Sequence, residues 1–241
     1  MTTAWWDGCE GEGPWIFADL SAEGQEELAG LIRRIEYGKD EVVFQEGEPA
    51  FGLYFICQGR VKLAKRSSKG KRQILKLLSP GEILGEKTMF DREVYTAYAK
   101  TLGPASLFFI ERRACLGFLH RHPKVALKLI EKLSRELKGF QQRLLEVSYG
   151  GSIERLARLL LTVGESCGVP EGDRLYLGLE LSRAELAEMA GISTETAIRT
   201  LARLKEHGLI GIKGHKIYIR DREGLGKLGE PLFPSTRENL L

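Results

Sequence analysis

The sequence predicts an α+β fold in three parts: a compact antiparallel sandwich or barrel, one long helix, and a helix-turn-helix with a β-wing. Three observations carry this. Between Tyr37 and Ile110, short β-prone runs alternate with glycine and proline. From 123 to 148 the apolar residues step by three and four, the spacing of a coiled-coil seam. From Leu181 to Ile219, two capped helical patterns joined at Gly191 lead into a hairpin signal around Gly214. The 241 residues, 43% hydrophobic and 29% charged, can bury one large core or two modest ones. Collagenous, disordered and disulfide-scaffold chains are excluded.

The chain opens with an acidic stretch, Asp7, Glu10, Glu12, Asp19 and Glu23, that also holds Trp5, Trp6 and Trp15. Residues 19–35 then predict a short amphipathic helix with Leu20, Leu28, Leu31 and Ile32 on one side. No run approaches the roughly 18 apolar residues of a membrane span, and residues 1–15 lack a secretory leader pattern, so a cytoplasmic location without membrane attachment is expected. Cys9, Cys57, Cys115 and Cys167 lie far apart with no C-x-x-C pair. They are expected to be buried free thiols with no metal bound.

Strands are expected at 41–44, 53–56, 60–64, 73–78, 95–100 and 106–110, punctuated by Gly47, Pro49, Gly52, Gly59, Gly70, Pro80-Gly81 and Gly103-Pro104. Arg60 to Lys76 is rich in Lys and Arg and free of acids, as suits a solvated hairpin edge that resists strand pairing. Pro123 is suited to the first turn of the long helix. Its seam, Ile130, Leu133, Leu137, Phe140, Leu144 and Val147, requires a partner helix, and a symmetric homodimer is expected. Gly150 and Gly151 mark a hinge, and Ser152 is suited to cap the next helix. The expected boundaries are a sensor domain at 1–122, a dimerisation helix at 123–149, a winged-helix domain at 150–223 and a loosely held tail at 224–241.

The sharpest chemistry lies in the helix pair. Ser182 caps a helix that buries Leu186, Ala187 and Ala190; Gly191 ends it, and Ser193 caps the next, which buries Ala197, Leu201 and Leu204. Thr194, Glu195, Ile198 and Arg199 are left outward near an N-terminus, where a recognition helix meets base edges in a major groove. Arginine pairs with guanine O6 and N7, glutamate accepts from cytosine N4, and methyl groups touch thymine. Arg203, Lys205, Lys213 and Lys216 supply positive charge for phosphates. Double-stranded DNA is the expected partner.

With these motifs in hand, the chain from about Gly38 to Arg220 resembles the CRP/FNR superfamily of bacterial transcription regulators. The resemblance rests on the glycine-punctuated strands with Pro80-Gly-Glu-Ile-Leu-Gly-Glu86, the long helix, and Ser193-Thr-Glu-Thr-Ala-Ile-Arg199 beside a wing. It implies a cyclic-nucleotide-binding-type β-roll, a homodimer, a pseudo-palindromic operator and RNA polymerase as a partner. It also places Glu195 and Arg199 at base-reading positions and Arg183 and Lys216 near phosphates.

Cyclic-nucleotide-binding members surround the ligand with a Gly-Glu pair and an Arg-Ser/Thr pair. Gly85-Glu86 matches the first; the second falls on Tyr95-Thr96, where a neutral phenol replaces the arginine. An alternative gap placement makes Arg92 the substitute. The helix positions facing the base fall on Phe140 and Gln141, and Phe140 cannot hydrogen-bond. The effector is therefore left unidentified, and cyclic AMP is disfavoured. No iron–sulfur cluster is expected, because Cys9 stands alone near the N-terminus, and haem is not expected at His120 or His122. No nucleophile–base pair or phosphate loop suggests an enzyme. The alternative reading is a cyclic-nucleotide or other small-molecule sensor whose output is protein contact.

Overall fold

The computed structural model describes residues 4–11, 13–67, 70, 72–90, 94–149 and 151–229; of 142–149 it describes the helical backbone alone. Two compact units divide at Glu136 and Leu137.

The first unit opens with single 3-10 turns at Ala4–Trp6 and Trp15–Phe17, then α1, Ala22–Leu31, capped by the Ser21 side chain, which accepts from the Gly24 amide. Eight strands follow: β1 (Ile32–Tyr37), β2 (Val42–Phe44), β3 (Gly52–Gln58), β4 (Val61–Arg66), β5 (Arg72–Leu78), β6 (Ile83–Leu84), β7 (Tyr98–Thr101) and β8 (Ala105–Glu111). A short helix α2, Glu86–Met89, sits between β6 and β7. The strands form two four-stranded antiparallel sheets, ordered β1-β8-β3-β6 and β2-β7-β4-β5. This is the expected β-roll. β3 and β8 are buried along nearly their whole lengths, as strands covered on both faces must be.

Helix α3 (Arg112–Arg121) and the part of α4 (Pro123–Tyr149) up to Glu136 close the unit. Phe118 of α3 and Val125 and Leu129 of α4 join a core with Phe55, Phe108 and Met89.

Several expectations need correction. The helix expected over 19–35 stops at Leu31, because Ile32-Arg-Arg-Ile-Glu-Tyr37 pairs in register with β8 from Ile32↔Ile110 to Tyr37↔Ala105. The strand expected from Tyr95 begins at Tyr98; the Tyr95 backbone bonds Gly47 and Glu48 instead. The largest difference concerns the cysteines. Cys9 and Cys57, expected as free thiols, are disulfide-bonded across a sequence separation of 48. The N-terminal segment folds back on β3, with the Glu10 amide donating to the Cys57 carbonyl at 2.8 Å. Trp5 and Trp6 are buried in the same core. Cys115 and Cys167 are buried thiols.

The second unit contains α5 (Ser152–Cys167), β9 (Val169–Glu171), β10 (Arg174–Tyr176), α6 (Arg183–Ala190), α7 (Thr194–Glu206), β11 (Ile210–Lys213), β12 (Lys216–Ile219) and α8 (Arg222–Leu228). Gly151, not Ser152, is the N-cap of α5, and no side chain caps that end. Gly150 lies outside the described residues, as do Arg92 and the side chains of Leu144 and Val147. The wing joins an upstream hairpin to make one sheet, ordered β11-β12-β10-β9.

The expected loose tail is in part a helix. The Asp221 side chain caps α8 by accepting from the Gly224 amide, Leu225 is fully buried, and the Gly229 carbonyl accepts from Arg158 Nε at 3.0 Å. Among the described residues no helix is long and apolar enough to cross a membrane. Leu225→Ala should lower the stability of this unit by about 2–4 kcal/mol, measured by chemical denaturation, because a fully buried leucine leaves a cavity when truncated.

Candidate nucleic-acid interface and β-roll pocket

The helix pair is built as its residues require. Ser182 and Glu185 form a reciprocal capping box at the start of α6. Gly191 ends the helix at φ 65°, a left-handed conformation that costs glycine little, and the Ile192 amide donates to the Ala187 carbonyl at 3.1 Å. Arg155 Nη1 of α5 donates to the Gly191 carbonyl at 3.3 Å, tying the corner to the helix behind it. Ser193 caps α7 by accepting from the Thr196 amide. Leu186, Ala187, Ala197, Leu201 and Leu204 are buried as expected, joined by Thr200.

That burial fixes which face of α7 points outward. Ser193, Thr194, Glu195, Ile198 and Arg199 are all exposed. Arg199 Nη1 lies 4.0 Å from Glu195 Oε1, with side-chain exposures of 70% and 80%. An ion pair that exposed is worth little, so it leaves the guanidinium available to a stronger acceptor. Lys216 opens β12 opposite Lys213, and its ammonium lies 5.1 Å from the Tyr176 ring centroid. Arg183 is half-buried at the start of α6, with Nη1 buried and lacking a hydrogen-bond acceptor.

Along α4, the seam residues divide. Ile130, Leu137 and Phe140 are exposed, Leu133 is half-buried, and Leu127, outside the expected seam, is exposed beside them. Val125 and Leu129 face the core. With half-buried Leu133, the outward residues form an apolar stripe at three- and four-residue spacing, exposed among the described residues.

The β-roll pocket is small, with a cavity of about 50 Å³ lined by Phe44, Gly85, Glu86, Tyr95, Thr96 and Glu136, among others. Gly85 adopts φ 91°, and a Cβ there would lie 2.7 Å from the Gly52 carbonyl oxygen. Tyr95 stacks on Phe44 with ring centroids 3.8 Å apart, and its hydroxyl donates to the Gly52 carbonyl at 3.2 Å. Burial pushes the phenol's pKa up, so the ring stays neutral. Thr96 is exposed at the rim. Phe140 and Gln141, where the helix was expected to meet a ligand, are exposed and do not line this cavity.

The α4 residue that lines it is Glu136, and the charges around it could not be assembled from spacing. Lys132 Nζ donates to Glu86 Oε1 and Glu136 Oε1, each at 2.7 Å, with all three groups largely buried. Lys76 bridges Glu82 and Glu136 at 2.9 and 3.2 Å, and Lys87 lies 3.3 Å from Glu136. Burial alone would raise the Glu136 carboxyl, but the Lys132 hydrogen bond and the Lys132, Lys76 and Lys87 charges hold it at about 2. Each lysine is answered by a carboxylate, so the network presents little net positive charge to an anion. His122 contacts Glu27 Oε2 through Nε2 at 2.9 Å and packs on Phe118. Among the described residues no group of three His, Cys, Asp or Glu could hold a metal ion.

Comparison with known proteins follows the same division. Residues 34–122 match the cyclic nucleotide-binding domain family, and residues 154–228 match the Crp-like helix-turn-helix domain family. The CRP-like cAMP-activated global transcriptional regulator of Mycobacterium tuberculosis is 27% identical over 212 residues, 88% of this chain and 95% of that protein. The cyclic AMP receptor protein of Thermus thermophilus is 28% identical over 210 residues, 86% of this chain and 92% of that protein. The structure of FixK2 from Bradyrhizobium japonicum aligns with a TM-score of 0.73 at 26% identity, covering 83% of this chain and 98% of that one.

The Glu136 carboxyl sets an acid limit. Its folded-state pKa lies below its ordinary value of 4.5, so the stabilisation is present above about pH 4.5 and is lost as pH falls toward 2. Glu136→Gln should remove on the order of 2 kcal/mol at neutral pH and flatten the stability profile across that window, read from urea melts at graded pH.

Proposed function

The chain belongs to the CRP/FNR superfamily of bacterial transcription regulators, and from that premise we propose that it acts as a cytoplasmic homodimer on a pseudo-palindromic operator, with an effector other than cyclic AMP or with none. DNA binding through the Crp-like helix-turn-helix is the shared property of the family. The observation that carries the finer reading is the outward edge of α7, where Thr194, Glu195, Ile198 and Arg199 stand free while Ala197, Leu201 and Leu204 anchor the helix from behind. In this reading Arg199 and Glu195 read base edges, Ser193, Arg183 and Lys216 serve the phosphates, and RNA polymerase is the partner at the promoter.

The homodimer follows from the apolar stripe on α4. Leu127, Ile130, Leu137 and Phe140 leave a contiguous apolar face in water, and a second copy related by two-fold symmetry covers it with the same residues. A two-fold pair would carry two copies of α7, one for each of two half-sites about 34 Å apart on a duplex.

The relatives named for cyclic AMP make that nucleotide the effector to weigh first, and the pocket speaks against it. A cavity of about 50 Å³ is well below the roughly 300 Å³ at the lower end of small-molecule sites. Its arginine position is a neutral tyrosine committed to Phe44 and Gly52, and Glu86 is engaged by Lys132. A cyclic phosphate would lose its water without a guanidinium in return.

Calorimetric titration with cyclic AMP should show no binding heat; saturable heat would restore cyclic AMP as the effector. Arg199→Ala should cost about 1–3 kcal/mol of discrimination at one base pair, and unchanged selectivity would remove Arg199 from the readout. Leu137→Glu together with Phe140→Glu should convert the sedimenting species to a monomer, since like charges would replace the apolar stripe on both copies.

A further inference from the structure

The Cys9–Cys57 bond joins two parts of the first unit that no regular element connects. Cys57 lies on β3, fully buried, whereas Cys9 is partly exposed among the exposed residues Asp7, Gly8, Glu10 and Gly11. The segment carrying Cys9 is held on β3 by further bonds: the Glu10 amide to the Cys57 carbonyl, and Gln58 Nε2 to the Gly8 carbonyl at 2.6 Å. A few residues on, the same segment grips α4. The Arg135 guanidinium lies 4.3 Å from the Trp15 ring centroid and Lys128 Nζ lies 5.9 Å from it; Lys128 also pairs with Asp19. Residues 4–11 and 13–19 thus form a strap, covalently fixed to the β-roll at one point and clasping at the other the helix that bears the apolar stripe.

A first unit with this much buried apolar core does not depend on a disulfide for its size. In a reducing compartment a disulfide of this kind is transient or redox-sensing, and this step rests on the cytoplasmic regulator reading above. We propose that Cys9–Cys57 is a reversible thiol-exchange site for a dithiol reductant, and that its state is transmitted to α4 through Trp15. A thiolate of the dithiol attacks the accessible Cys9 sulfur. The S–S bond breaks, and Cys57 departs as a thiolate that takes up a proton. The second thiol of the reagent then attacks the mixed disulfide, releasing Cys9 as a thiol and the reagent as its own disulfide. Two electrons and two protons pass from the dithiol to the protein.

The test equilibrates the full-length protein with graded ratios of reduced to oxidised dithiothreitol under native conditions. Alkylation mapped by mass spectrometry and amide hydrogen exchange are read in parallel. Cys9 and Cys57 should become reactive together and reversibly, while the buried thiols Cys115 and Cys167 serve as internal controls. Exchange across residues 4–11 should accelerate on the order of tenfold, with a concurrent change around 128–135 of α4. Cys9→Ser should show the reduced pattern at every ratio. A bond that yields only when the protein unfolds overturns the proposal, and so does reduction that leaves exchange at 128–135 unchanged. Neither readout uses DNA, so a failure of the regulator reading leaves both standing. Selective DNA binding by a chain whose bond resists native reduction rejects the thiol-exchange site alone.

Discussion

The ammonium of Lys132 is the constraint around which the first unit is organised at its functional end. It sits on α4, largely buried, between a carboxylate of α2 and another one helical turn along its own helix. A charge in that position is tolerable only while both acceptors remain, since losing one leaves an uncompensated ion away from water. The Glu86 contact therefore fixes the register of α4 against the β-roll. Leu129 is thereby directed into the core, and Ile130 and Leu137 outward. The same lysine engages Glu86 in the lining of the β-roll cavity.

The second unit depends less on charge than on caps and small residues. A serine-glutamate capping box, a left-handed glycine and a second serine cap lie within about three helical turns of sequence, and each satisfies backbone groups that would otherwise be orphaned. Ala187 and Ala197 let the two helices approach closely, and the outward edge of α7 is what remains after the buried face is subtracted.

This is why the C-terminal half was legible residue by residue. Capping and turn chemistry are local, and Ser182, Gly191, Ser193 and Gly214 announce themselves within a few positions of where they act. The β-roll strands were legible as elements, because period-two runs and glycine punctuation are local as well. What lay hidden was long-range. Ile32 could end a helix or begin a strand, and pairing with Ile110 across the chain decides between them. Cys9 and Cys57 are distant in sequence and adjacent in space, and the Trp5 and Trp6 burial that brings them together gives no periodic signal. Glu136 and Lys132 have only the local pattern of charged positions beside a seam; their partners, Lys76 on β5 and Glu86 on α2, lie far away in sequence. Leu225 gives no signal in sequence either, since one leucine among glycines has no period to detect.

Tyr95 has a wider consequence. Its ring stacks on Phe44 in the lining of the β-roll cavity, and its hydroxyl is satisfied by the Gly52 backbone. On the reading proposed above, a side chain of the protein itself stands where a ligand would enter, and a change in cyclic AMP level would not reach the promoter by that route. Its influence on a promoter would follow from how many copies the cell synthesises and from the electron supply that surrounds them.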